Sequence, residues 1–318
     1  MIDKKYSKYI VTELKKEVRE QEEKVEPSKR LMEHVIWMDN EVLPGAFYSE
    51  CVWFRPGPLT SPEELRKRTG LPEHTHPWDE VLAYFGTDPN DPQDLGGEIE
   101  FWLGDEQFNL TKSFLVYIPA GIKHCPLKHI RIDRPIFHFT MGPGRMYEKD
   151  KQDNFTPQNN INEIEGEREG TVEKNNAKYF VFQDKPDLKL PGFRQMLPRE
   201  IAYRILQLDS EVVPGANFYV EAVWYWPKPE QQSGDKSRVE VQAHTHDFDE
   251  FIGFFGTDPD DIHDLCGEIE LWIDGEQNII DKSFLAFVPA GVEHCPLNIR
   301  RVDRPIFHFT AGPGRVYG

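Results

Sequence analysis

The sequence predicts an all-β protein built as two tandem barrels, and three observations carry that reading. Runs such as ECVWF, EVLAYF, EIEFWL, FLVYIP and PIFHFT are rich in Val, Ile, Phe, Tyr and Trp and are cut by Gly, Pro and Asp. That rhythm marks many short strands rather than βαβ units. Residues 74–145 align with residues 244–315 at a constant offset of 170 without a gap, and more than half of the positions are identical. A repeat this long exceeds any solenoid unit and indicates a duplicated domain. The length of 318 residues independently gives about two domains.

Taken in order, residues 1–28 read as an N-terminal charged helix. Tyr6, Ile10, Leu14 and Val18 recur every four residues over 4–24, Glu and Lys fill the other faces, and Pro27 ends the run. The apolar stripe packs on the first barrel or, in the alternative reading, makes a homo-oligomer contact. The first barrel is assigned to 29–147. Its opening segment WMDNEVLPGAFYSECVWFRP returns as QLDSEVVPGANFYVEAVWYWP, with one residue inserted at Asn217. Residues 148–190 are polar and read as a linker, inside which KYFVFQD reads as an opening strand of the second half. The second barrel is assigned to 191–318. The loops SPEELRKRTGLPE and GDKSRVEVQ occupy matching places in the two repeats but differ in sequence, so the two barrel mouths are expected to be unequal.

Composition narrows the partners. A formal charge of -18 excludes the basic surface that nucleic acid and anionic membranes demand, leaving a small molecule as the expected partner. The N-terminal segment lacks the apolar core of a signal peptide, and no run is long enough to span a membrane. Cys51, Cys125, Cys266 and Cys295 form no CxxC pair, so they read as small buried thiols and the expected location is a reducing cytoplasm. Cys125 and Cys295 each follow a histidine of interest, and a regular strand would turn them to the opposite face.

The chemistry concentrates in His74-Thr75-His76-Pro77-Trp78-Asp79-Glu80 with Pro119-Ala120-Gly121-Ile122-Lys123-His124, and again in His244 to Glu250 with Pro289 to His294. Alternate residues of a strand share a face, so His74, His76 and Glu80 can point together, as can His244, His246 and Glu250. His124 and His294 then reach them from a later strand. Of 11 histidines, eight fall into pairs at the 170 offset; six are these ligands and the last pair is His138 and His308. Three imidazoles and a carboxylate suit a divalent transition metal, one per barrel. Four protein ligands leave two open octahedral positions, which favours Mn or Fe over Zn, Ni or Co. His138 and His308 sit on the strand PIFHFT, on one face with Ile136 and Thr140 in the first copy, and are candidate catalytic acids, bases or donors. The competing reading is a core histidine bonded to backbone.

Lesser candidates are weighed against bland roles. Glu98, Glu100, Glu268 and Glu270 would act only if their face looked inward rather than to solvent. Trp53, Tyr84, Trp102, Trp224, Phe254 and Trp272 wall a pocket or fill a core. Arg145 and Arg315 would hold a carboxylate or close a surface pair. Asp88, Asp91 and Asp94 would bind a cation or form a solvated turn.

HxHxxxE followed by PxGxxH resembles the two-part signature of the cupin superfamily, and its doubling resembles the bicupins. The second copy carries Asn298 where that signature often extends, whereas the first has Lys128. The acidic loop FGTDPNDPQDLGGEIE is a further departure. The resemblance implies two jelly-roll (double-stranded β-helix) barrels, each with a metal near its centre. It further implies a metal-dependent enzyme acting on a small, oxygen-rich, enolisable substrate such as an oxo acid, diketone or sugar derivative, with dioxygenase or decarboxylase chemistry. Isomerase or C–C hydrolase activity, or non-catalytic metal-dependent binding of a sugar or carboxylate, are the alternatives, because one fold hosts many reactions.

Overall fold

The computed structural model describes residues 7–57, 61–68, 70–144, 175–185, 192, 197–227 and 241–314. The first half supplies β1 (Ile10–Val11), β2 (Met32–Met38), β3 (Tyr48–Phe54), β4 (Glu80–Gly86), β5 (Asp94–Leu103), β6 (Glu106–Lys112), β7 (Phe114–Ile118), β8 (His124–Ile132) and β9 (Ile136–Gly142). After β10 (Phe180–Val181) come β11 (Ala202–Leu208), β12 (Phe218–Tyr225), β13 (Glu250–Phe255) and β14 (Asp264–Ile273). The chain closes with β15 (Glu276–Lys282), β16 (Phe284–Val288), β17 (His294–Val302) and β18 (Ile306–Pro313).

Each barrel sets a six-stranded sheet against a three-stranded one. The first pairs β10-β7-β4-β9-β3-β2 with β6-β5-β8; the second pairs β1-β16-β13-β18-β12-β11 with β15-β14-β17. The central strands are apolar on both faces because both faces are buried. In β4, Val81, Ala83 and Phe85 join a core shared by the two barrels, while Leu82 and Tyr84 line the interior of the first. The large sheets of the two barrels therefore pack face to face through rings such as Phe137, Phe139, Phe255, Phe307 and Phe309. Each barrel keeps its own inner core besides.

Three expectations need correction. The N-terminal helix spans only Lys16–Glu22 among the described residues. Ahead of it Ile10 and Val11 form β1, paired with Ala286 and Leu285. Ile10 and Leu14 are indeed buried, but an adjacent β-branched pair beside an open sheet edge favours extended backbone over the helix that their spacing predicts. Second, KYFVFQD contributes a strand to the first barrel and not the second: Phe180 pairs with Val116 and Val181 with Leu115. The described end of the linker is thus structured, with a 3-10 turn at Asn175–Tyr179 ahead of β10. Residues 10 and 180 are equivalent, so the segment before each barrel closes the edge of the other. Lys15 and Lys185 anchor the two arms alike, on Asp39 at 2.7 Å and Asp209 at 2.8 Å.

Third, Cys125 and Cys295 do not face away from the histidines they follow. Both have φ of 67°, a left-handed conformation that breaks the strand alternation assumed for them. Cys125 lines the first interior cavity, and the Cys295 thiol lies within 4.8 Å of ligand atoms of His244 and His294. All four cysteines are buried, and none is in a disulfide among the described residues.

Of the two mouth loops, SPEELRKRTGLPE carries a short helix α2 (Pro62–Arg66), whose Ser61 hydroxyl accepts from Glu64 N–H. GDKSRVEVQ lies almost wholly outside the described residues, as do Arg145 and Arg315. Among the described residues, no helix is long and apolar enough to cross a membrane.

Candidate metal centres

Backbone pairing explains the motif spacing. His74 and His124 exchange N–H···O bonds at 3.0 Å, and His244 and His294 do the same at 3.0 and 3.1 Å. In the PxG turn Gly121 adopts φ of 77°, which only glycine takes without cost, and its N–H reaches His76 O at 2.8 Å. Asp79 completes the clamp by accepting Ala120 N–H at 2.8 Å. Gly291 and Asp249 repeat both contacts. HxH and PxGxxH are thus one hydrogen-bonded unit.

In the first barrel the ligand nitrogens of His74, His76 and His124 lie within 4.8 Å of one another. Glu80 Oε2 approaches His124 Nε2 at 3.0 Å and His76 Nε2 at 3.6 Å. The first pair is too poorly aligned for a hydrogen bond, so Glu80 Oε2 and His124 Nε2 remain buried polar atoms without one. Such orphans are costly unless something fills the space between them. The tautomers point the same way. Nδ1 of His74 faces Pro72 O at 2.8 Å, and that of His124 faces Ile122 O at 3.0 Å. Each carbonyl holds the ring proton on Nδ1 and leaves the Nε2 lone pair for a cation. Glu80 is itself oriented by the Thr140 hydroxyl, which donates to Oε1 at 2.7 Å.

The second cluster repeats the plan with different supports. Glu250 Oε2 lies 3.3 Å from His246 Nε2 and 3.2 Å from His294 Nε2. Nδ1 of His244, His246 and His294 faces the carbonyls of Gln242, Phe248 and Val292. The Glu250 carboxylate accepts from the Tyr219 hydroxyl instead of a threonine. The sequence placed Thr140 on the face of His138 without giving it this role, and Tyr219 was not singled out. The first donor set fits a divalent metal; in the second, His246, Glu250 and His294 converge, while His244 groups with His294 and Cys295.

Electrostatics prepare the first cluster. Burial alone would raise the Glu80 pKa, but His124 and His76 outweigh it and keep the group a carboxylate. Burial and His124 push His74 down to about 4, so it stays neutral. Burial alone lowers His124, yet Glu80 overcomes it and raises the pKa. A metal competes with a proton for His124 here. Its affinity is expected to rise with pH, by up to about tenfold per pH unit for each proton displaced. Mn(II) titrations followed by electron paramagnetic resonance between pH 6 and pH 8 check this, and a flat profile counts against the assignment.

The first cluster opens on a cavity of about 720 Å³ lined by His74, Glu80 and His124 together with Glu50, His129 and His138. Apolar walls come from Phe54, Leu65, Leu82 and Tyr84. His138 stacks on Tyr84 at 4.2 Å, and its Nδ1 faces Ala83 O at 2.7 Å. Burial holds its pKa at about 4, so it is a neutral ring. His308 repeats the contact with Gly253 O at 2.8 Å. His129 was not foreseen; burial lowers it to about 3, and its Nε2 lacks a hydrogen bond.

The lesser candidates lie elsewhere. Glu100 meets Lys128 and Glu268 meets Arg300 in half-exposed ion pairs. Trp53 and Trp224 belong to the shared core, and Tyr84 and Phe254 to the barrel interiors. Trp102 and Trp272 are half-buried. Asp88, Asp91 and Asp94 accept nearby backbone N–H groups of their own turn.

No protein-family model and no curated protein sequence matches the chain. Solved structures do. A Bacillus subtilis oxalate decarboxylase with a two-residue deletion superposes with a TM-score of 0.51 at 12% identity, covering 89% of this chain and 73% of that one. Lactobacillus farciminis oxalate decarboxylase in complex with formate gives 0.52 at 14%, covering 89% and 81%. A further Bacillus subtilis oxalate decarboxylase structure, from a study of its Mn(II) centres, gives 0.51 at 13%, covering 89% and 73%. At such identities the likeness is one of fold.

Proposed function

Taking as premise that the chain has the two-barrel fold of the bicupins, we propose that it is a metal-dependent decarboxylase of a small oxo acid. The observation that carries this is the first cluster: three imidazoles with their Nδ1 protons or ring faces fixed and one ionised carboxylate, of which His74, His124 and Glu80 line an accessible cavity. A bound divalent ion, with Mn or Fe suiting the mixed donors best, would act as a Lewis acid towards a substrate carbonyl or carboxylate oxygen. His74, His76, Glu80 and His124 would hold it, as would His244, His246, Glu250 and His294 in the second barrel.

The chain's own groups set the rest. Leu65, Leu82, Phe54 and Tyr84 exclude water from one side of the cavity. His138, neutral and fixed through Nδ1, offers a hydrogen-bond acceptor at Nε2. A volume of about 720 Å³ is in the range that suits drug-sized ligands, so the substrate is expected to be larger than oxalate and to carry an apolar part. In a 3-oxo acid the C–C bond to the departing carboxylate breaks, CO₂ leaves, and the electron pair is delocalised onto the neighbouring carbonyl as an enolate that one proton on carbon quenches.

The test loads the protein with Mn(II) or Fe(II) and presents a panel of oxo acids alongside oxalate, measuring CO₂ release and oxygen uptake. CO₂ without oxygen consumption, from an oxo acid in preference to oxalate, is the expected result. One oxygen consumed per turnover would instead make the protein a dioxygenase, and binding without any turnover would make it a carrier.

A further inference from the structure

A chain of three side chains joins the first cavity to the outer surface. His34 on β2 lies between two carboxylates: Nδ1 is 2.5 Å from Glu22 Oε1 on α1 (Lys16–Glu22), and Nε2 is 2.5 Å from Glu50 Oε1 on β3. The Tyr48 hydroxyl donates to the other Glu50 oxygen at 2.9 Å. Glu50 lines the cavity that holds the first metal cluster. Glu22 and His34 line a separate, solvent-open depression of about 760 Å³ beside residues 259–264 of the second barrel. One imidazole thus borders the outer depression and touches, through Nε2, the glutamate that lines the cavity.

We propose that Glu50 is the proton-transferring group of the first barrel and that His34 resupplies it from solvent, with Glu22 orienting the ring. This rests on the decarboxylase reading for the identity of the proton acceptor, but the path itself follows from the side chains alone. The His34 imidazolium passes its Nε2 proton to the resting Glu50 carboxylate, and Glu50 hands that proton to the enolate carbon, so that an O–H bond breaks and a C–H bond forms. The neutral ring then turns to the outer depression and regains its proton from water, with hydroxide leaving to solvent. No oxidant or reductant enters.

Electrostatics agree. Burial alone lowers the His34 pKa, but hydrogen bonds to Glu22 and Glu50 raise it to about 9, so the ring is charged at neutral pH. Burial raises Glu50, yet His34 outweighs it and holds the resting group as a carboxylate. On the outer side the depression also carries Arg19, Glu33, Arg55, Asp260 and Asp261. Arg30 acts on Glu22, while His138 from β9 acts on Glu50 from the cavity side.

The second barrel makes the comparison. Glu221 stands where Glu50 does, but Arg204 replaces His34; its guanidinium binds Asp184 at 2.8 and 2.9 Å and lies 3.9 Å from Glu221. An arginine keeps the charge and does not release a proton at any ordinary pH. The relay belongs to the first barrel alone.

His34→Arg imports that arrangement and retains the cation between the carboxylates. With Mn(II)-loaded protein in D₂O and pyruvate as an enolisable probe, the wild type is expected to accelerate exchange of the methyl protons, followed by nuclear magnetic resonance. His34→Arg should slow the exchange at least about tenfold, and Glu50→Gln about a hundredfold or more. Mn(II) content, pyruvate binding by calorimetry and the thermal midpoint should stay near wild type. Added imidazole, entering the outer depression, should restore exchange in His34→Gly. Wild-type exchange in His34→Arg, no imidazole rescue, or no acceleration by the wild type overturns the proposal. If exchange depends on His34 but no acid releases CO₂, only the decarboxylase reading fails. If CO₂ release survives intact in His34→Arg, only the relay fails.

Discussion

Phe137→Ala is expected to destabilise both barrels together, by about 3–5 kcal/mol. The ring is fully buried between the two halves and packs within 4.9 Å of Trp53 in its own barrel and 4.7 and 4.5 Å of Phe255 and Phe307 in the other. Removing it strips contacts from both sheets at once, and rigid strands on either side cannot collapse into the gap. Calorimetry should therefore show a single transition moved down by roughly 10 °C. By contrast, Ile99→Ala, in the inner core of the first barrel, removes contacts from that barrel only. Two separate transitions, with only the first displaced by Phe137→Ala, would show that the shared core does not couple the halves.

The second large effect concerns metal content. His124→Ala and His294→Ala are each expected to weaken one site by more than about a hundredfold, since loss of a supporting contact alone costs that much. Each single variant should retain metal in the opposite barrel, and the double variant should hold none. Elemental analysis after dialysis reads this directly. Activity separates the barrels further, because the relay residues His34 and Glu50 serve only the first: CO₂ release should vanish in His124→Ala and persist in His294→Ala. Full metal occupancy in both single variants would sink the ligand assignment.

The candidate ligands were legible chiefly because the whole unit occurs twice; the period of two held only in part, since His74 is an isolated bridge and β4 begins at Glu80. The strand-rich rhythm similarly disclosed the barrels. What escaped was set by tertiary context. No local pattern shows that Ile10 pairs with Ala286 or Phe180 with Val116, since the partner edge lies in the other half of the chain. The left-handed backbone at Cys125 and Cys295 escaped as well, because a non-glycine residue there gives no compositional sign. The Glu22–His34–Glu50 chain joins residues with no common periodicity. One trace of it was present: a glutamate interrupts the apolar strand at the same place in both repeats, Glu50 and Glu221, while the residue facing it is histidine in one and arginine in the other.

The exchanged arms carry a last consequence. A lone half, cut within the segment between the repeats, would keep its arm but lose the sheet edge on which that arm docks, and its own edge at β7 or β16 would stand bare. Two such halves satisfy each other by trading arms across a twofold axis. The present chain has the form of that dimer with its subunits spliced end to end, so the two halves can differ where one carries His34 and the other Arg204.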